Sequence, residues 1–331
     1  MEQESEIPLQ PKFRAEVSAT VQRNAVEIAL GESQCSFEFA DSERQAVLRL
    51  FEQLEAGGAT VVDLATLAPE IAEQLPTLLR DFDRLRLLVD SAPQVTAGAR
   101  TGMQLYREVR RLTDRVTARV ARSSFFVALR SGLATRRQLI GYALEYHWLV
   151  QAAPGLIGPA LACAHSPQER ALIQDFLASE LGHDKFLASA LAAVGVTQGE
   201  LELHQPLPAT FALGASLGVY ARQHPLSFKA CLFLFERAQP EFIDAFDQRC
   251  AELALPEEFC QPLRKHAAIN ADYAHEDVSR AFLALEGAVD AESCTVVKRH
   301  VALMVETMIW QEEAILSYYC RESSPLPRIF T

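Results

Sequence analysis

Residues 171–194 read ALIQDFLASELGHDKFLASALAAV. Steps of three and four through this stretch pick out Leu172, Phe176, Glu180, His183, Leu187, Leu191 and Val194. That period is helical, and it predicts one continuous helix over 167–194 with a single apolar stripe. Glu180 and His183 stand inside the stripe, where a core-facing helix would place leucine. Burying an ionised carboxylate without a partner costs several kcal/mol or more, so a compensating group must face it. A Glu-x-x-His pair pointing into a helical bundle is the ligand element of carboxylate-bridged di-iron sites. A buried Glu–His hydrogen-bonded pair, or an arginine facing the carboxylate, satisfies the same pattern. Asp184 and Lys185 fall about 100° and 200° around the axis from His183 and belong to the surface.

Two further stretches repeat the anomaly. In FKACLFLFERAQP, Glu236 follows the apolar run ACLFLF, while Arg237 points about 100° elsewhere and is no obvious partner. In HAAINADYAHEDVSRAFLAL (266–285), Asp272 and His275 are three apart and continue a stripe through Ala268, Ser279 and Phe282. Three helices would thus present Glu180, His183, Glu236, Asp272 and His275 from buried faces. Imidazole and carboxylate donors suit iron or manganese, and the lack of thiolates argues against structural zinc. Tyr146 and His147, in LEYHWLV, are candidates to line a substrate pocket, with a satisfied core histidine as the plainer account of His147. Cys231 sits mid-run as a core residue. His300 and Glu306 on the last helix are core or surface positions that could also support the ligands. No Gly-rich phosphate loop and no GxSxG element occurs.

The surroundings bound the function class. The chain has 331 residues, 49% of them apolar, which suggests two domains and a large core. A net charge of −12 argues against a nucleic-acid partner. No apolar run reaches the roughly 18 residues that span a bilayer, so no membrane partner is expected. The opening MEQESEIPLQ is acidic and polar, unlike a secretory signal. Seven scattered cysteines without a CxxC pair fit reduced thiols in a cytoplasm.

The first ninety residues differ in texture from the rest. FRAEVSATV, AVEIAL and CSFEFA predict three strands separated by turns. Asp41-Ser42-Glu43 opens an amphipathic helix through Val47, Leu50, Phe51 and Leu54, stopped by Gly57-Gly58. Two more helices, VVDLATLA and EIAEQLPTLLRDFDRL, and a closing strand, LRLLVD, complete the order of a winged helix–turn–helix. Its residues 36–90 hold eleven acidic side chains against five arginines, a net −6 that repels a phosphate backbone. A protein or peptide partner suits it better. SAPQVTAGART (91–101) reads as a linker. From Arg100 to Arg122 stand seven arginines against Glu108 and Asp114, which we assign to a solvated helix face. Helices are then expected near 102–122, 135–163, 167–194, 208–222, 226–250, 256–286 and 290–318. Pro154, SPQE, GVTQGE, HQPLP and ALPEE punctuate them, and no strand-like alternation interrupts. The expected architecture is mainly α: a helical bundle over 102–320 preceded by a small α+β winged-helix domain over 13–90.

From about residue 104 to 318 the chain resembles the haem-oxygenase-like fold shared by TenA and PqqC, through the stretch SSFFVALRSGLATRRQLIGYALEYHWLV (123–150). The set Glu180, His183, Glu236, Asp272 and His275 resembles specifically the haem-oxygenase-like diiron oxidases. That resemblance implies iron, one ion or two, with O₂ as co-substrate and a fatty-acid-like or amino-acid-like substrate. The family's last ligand helix reads His-x-x-x-Asp-x-x-His, whereas here the first position is Ala268. His266 lies two residues early, about 160° away on a regular helix, and would join as an extra ligand only through a distortion. Residues 13–90 are similar to PqqD-like modules that grip leader peptides, which implies a peptide- or carrier-linked substrate. Homodimerisation is a further expectation. The alternatives are a metal-free enzyme of PqqC or TenA type and a non-catalytic peptide-binding adaptor.

Overall fold

The computed structural model describes residues 7–30, 33–91, 99–119, 123–236, 240–272 and 278–330, with the side chains of 33, 118–119, 240 and 267–272 left aside. The chain divides into two compact units, Met1–Arg107 with Gly287–Ala291, and Glu108–Glu286 with Glu292–Thr331.

In the first unit, β2 (Val17–Val21), β3 (Ala25–Leu30) and β4 (Ser33–Glu38) form an antiparallel meander. The pairing Val21↔Val26 is closed by Gln22 N–H donating to the Ala25 carbonyl at 2.8 Å. Alternation along β3 buries Val26 and Ile28 and leaves Glu27 outward, as a half-solvated sheet requires. FRAEVSATV, expected as one strand, is split: Phe13 ends β1 (Pro11–Phe13), and a turn from Arg14 to Val17 starts β2. β1 pairs antiparallel with β5 (Leu88–Asp90), so the closing strand returns to the start of the unit.

Between them run α1 (Arg44–Ala56), α2 (Val61–Leu67) and α3 (Leu75–Arg84). α1 buries Ala46, Val47, Leu50, Phe51 and Leu54, the stripe legible in the sequence. It stops at Gly57, whose φ of +79° suits glycine. At the start of α2 the Thr60 hydroxyl accepts from Asp63 N–H and the Asp63 carboxylate accepts from Thr60 N–H, a reciprocal cap. Phe13, Phe51 and Phe82 meet with ring centroids 5.4, 5.7 and 5.8 Å apart and close this core. A small ladder, β6 (Arg100–Thr101) with β7 (Ala288–Val289), belongs to the same unit and was not anticipated, because two-residue strands carry no alternation.

The second unit is helical. α4 (Gly102–Arg119) and α16 (Ala291–Tyr319) each run through a point of division. The arginine-rich face of α4 is not simply solvated: Arg107 is 8% exposed and grips Asp83 at 3.0 Å, and Arg110 is 6% exposed with its guanidinium 4.8 Å from the Phe233 ring centre. After α5 (Ser124–Arg130) comes α6 (Arg136–Ala162), which continues through Pro154 and Pro159 rather than being punctuated by them. α6 packs against α7 (Pro167–Glu180), α8 (Asp184–Ala192) and α10 (Pro208–Gln223). Small residues permit the closest approach: a Cβ on Gly218 of α10 would stand 3.0 Å from Leu156, and one on Gly141 of α6 would enter the Tyr319 ring.

The remaining helices are α9 (Gln198–Leu203), α11 (Pro225–Cys231), α12 (Phe233–Glu236), α13 (Pro240–Glu252), α14 (Glu257–Asp272) and α15 (Val278–Ala284). The helices expected over 167–194 and 226–250 are therefore divided, at 181–183 and at Leu232, while residues 237–239 and 273–277 lie outside the described residues. Among the described residues no helix is long and apolar enough to cross a membrane.

Candidate metal and substrate site

The break after α7 is set by one residue. Leu181 leaves the helix with ψ 120°, and Gly182 follows at φ +88°, a conformation that only glycine adopts cheaply. The chain re-enters a helix at Asp184. Because the interruption is a tight turn, Glu180 and His183 both stay 7% exposed, while Leu181 is turned out to 62%. His183 Nδ1 lies 3.5 Å from Glu180 Oε2. The expectation of one continuous helix fails here because Gly182 stops α7 while the apolar period resumes beyond the turn.

Glu236 ends α12 and is 7% exposed. A buried clamp fixes the junction before it. The Ser279 hydroxyl donates to the Lys229 carbonyl at 2.6 Å and accepts from Phe233 N–H at 2.9 Å. Lys229 itself is 3% exposed, with its Nζ 2.7 Å from Glu169 and 2.5 Å from Glu286. α7, α11 and α15 are thereby tied together by one satisfied ionic group, and α12 leaves the clamp in a fixed direction.

His266, on α14, is 2% exposed. Its Nδ1 lies 2.9 Å from the Tyr146 hydroxyl of α6, and its ring meets that of His183 edge-on, centroids 4.9 Å apart. Glu180, Glu236, His266 and Tyr146 line one pocket enclosing about 610 Å³ of empty space, its open mouth included. The walls are apolar: Leu149, Val150, Ala153, Leu156 and Ile157 of α6, Phe176 of α7, Leu217 of α10, then Leu232 and Phe235. Burial pushes the Tyr146 hydroxyl well above its ordinary pKa, and Tyr142, Glu236 and Glu180 add to the effect, so the phenol stays protonated.

The structure thus brings Glu180, His183, Glu236 and His266 together. The Asp272 side chain and the whole of His275 lie outside the described residues, as does the side chain of Ala268. Among the described residues no three acidic, histidine or cysteine side chains already stand together as a metal cage. The donor chemistry nonetheless fits a hard-to-borderline ion: Glu180, Glu236 and His266 line an apolar pocket, and His183 stands against Glu180 and His266. His266, expected about 160° away from position 268 and so only as an extra ligand through a distortion, faces the pocket. A count backward through Phe259, Leu263 and His266, all buried, would have put it on the inner stripe.

Tyr146 lines the pocket and His147 does not. His147 is 3% exposed, with its pKa lowered by burial against the opposing charge of Asp184. It neighbours a separate network in which Glu145 accepts from the Tyr319 hydroxyl at 2.7 Å and from Leu207 N–H at 2.9 Å. Cys231 is a core residue whose thiol burial pushes up. His300 stacks on Tyr220 at 4.4 Å and contacts Ser227 Oγ at 2.8 Å, and Glu306 is exposed.

No protein-family model matches the sequence, and no curated protein matches it. Solved structures do match. A domain of unknown function with a heme oxygenase-like fold from Shewanella denitrificans OS217 gives a TM-score of 0.56 at 18% identity, covering 69% of this chain and 97% of that one. A TenA homolog from Pseudomonas syringae pv. tomato str. DC3000 gives 0.52 at 18% identity, covering 69% and 98%. The protein is therefore mainly α with a haem oxygenase-like bundle, the same architecture as TenA-type proteins, and a small unit of sheet and helix stands at its N-terminus.

Proposed function

We propose that the bundle is a non-haem iron oxidase that uses O₂ on a substrate with an apolar body. The observation that carries this is that Glu180, Glu236 and His266 line one apolar pocket, with His183 against both Glu180 and His266. Glu180, His183 and Glu236 would hold the iron, with His266 as a further ligand and Asp272 and His275 completing the set. Bound iron supplies the electrons that activate O₂. The chain's own residues do the rest. The hydrogen bond between His266 Nδ1 and the Tyr146 hydroxyl would orient the ring, so that Nε2 would be the nitrogen offered to the metal. The apolar walls exclude water and orient the substrate. The acidic N-terminal unit, whose β2 and β4 are the outer strands of its meander, would receive a peptide or carrier that delivers the substrate. Stopped-flow mixing of anaerobically Fe(II)-loaded protein with O₂ tests the proposal. An absorbance transient lost in Glu180→Ala supports it, and identical traces with and without protein refute it.

A metal-free enzyme on the same fold is the alternative, favoured by the Tyr146–His266 hydrogen bond, which with Glu180 and Glu236 forms a ready acid–base set. It predicts turnover untouched by chelators. A non-catalytic adaptor predicts peptide binding by the N-terminal unit and no turnover at all.

A further inference from the structure

α13 and α14 run antiparallel and are joined by the short link Leu253–Pro256. Their register is fixed by the Asp247–Arg264 ion pair at 3.0 Å and by the stacked rings of Phe246 and Phe259, 6.3 Å apart. Next to those contacts stand Cys250, about one turn after Phe246 and Asp247, and Cys260, adjacent to Phe259; both are in the core, 0% and 5% exposed, with the two thiols hydrogen-bonded to each other.

We propose that Cys250 and Cys260 are a redox-modification site, closing to a reversible disulfide when the protein meets a peroxide. Cys260 is the attacking thiol. The hydrogen bond from Cys250 holds its pKa below the ordinary value, and the Arg264 guanidinium nearby adds to this. The Cys260 thiolate takes one oxygen from hydrogen peroxide, giving a sulfenic acid and, with a proton, water. The Cys250 sulfur then displaces the hydroxyl, forming the S–S bond and releasing a second water, so that two thiols lose two electrons to one peroxide. The bond would pin α13 to α14 six residues before His266. The inference uses no metal and stands whether or not iron binds.

Arg249 and Arg264 bracket both cysteines in one tryptic peptide, residues 250–264. After peroxide treatment of the full chain, denaturation and alkylation, that peptide is expected to be lighter by two hydrogens and unlabelled, and dithiothreitol should restore two labels. Cys260→Ser should abolish the mass loss, as should Cys250→Ala if the first variant folds poorly. A peptide that still takes two labels while the exposed Cys320 is oxidised would overturn the proposal. So would recovery of Cys250 joined to any other cysteine.

Discussion

Gly182 decides where His183 points. At φ +88° any other residue carries a left-handed strain of about 1 kcal/mol or more. Gly182→Ala should therefore lower stability in urea unfolding by about that amount, with a larger effect on whatever the Glu180–His183 pair holds. His204 makes a second residue-scale prediction. Burial, then the charges of Arg328 and His147, bring its pKa from 6.5 to about 4. Between those values the unfolded chain binds a proton that the folded one does not, so stability falls as pH drops from 6.5 towards 4. The full loss is roughly 3 kcal/mol. Glu145, raised by burial, works in the opposite direction above its ordinary value. Thermal melts across pH 4–7 should show a fall that His204→Gln flattens, and an unchanged profile in that variant would refute the assignment.

At the scale of elements, two contacts set how helices meet. The Tyr319 ring lies over Gly141, held there by its hydroxyl on Glu145, so Gly141→Ala forces α16 from α6 and should cost about 1–3 kcal/mol in chemical denaturation. Lys229→Met leaves the buried Glu169 and the half-buried Glu286 without their cation, for a loss of about 3 kcal/mol. Lys229→Met should also disturb the pocket, because the clamp aims α12 and Glu236. The sequence made some of these elements legible and hid others for physical reasons. The stripe Val47, Leu50, Phe51, Leu54 and its glycine stop were readable because burial and termination used ordinary residues at ordinary spacing. The breaks at Gly182 and Leu232 were not, because apolar periodicity continues across a tight turn when both sides face one core. Pro154 misled in the opposite sense, since α6 continues through it, still burying Val150 and Ile157.

For the whole molecule, the fold was readable from helical period and length, and the solved structures of haem oxygenase-like architecture agree with it. The site was readable in part: Glu180, His183 and Glu236 announced themselves as charges in apolar runs, and Tyr146 joined them at the pocket. His266 was legible only as an extra ligand, because a regular helix puts it about 160° from position 268. The central claim is that these side chains together hold iron. The direct test is metal content per chain after anaerobic Fe(II) loading and desalting, for the parent protein, Glu236→Ala and His266→Ala, each checked for fold by circular dichroism. The account predicts bound iron in the parent and a clear loss in both folded variants. Equal iron in all three, or none in the parent, would contradict it.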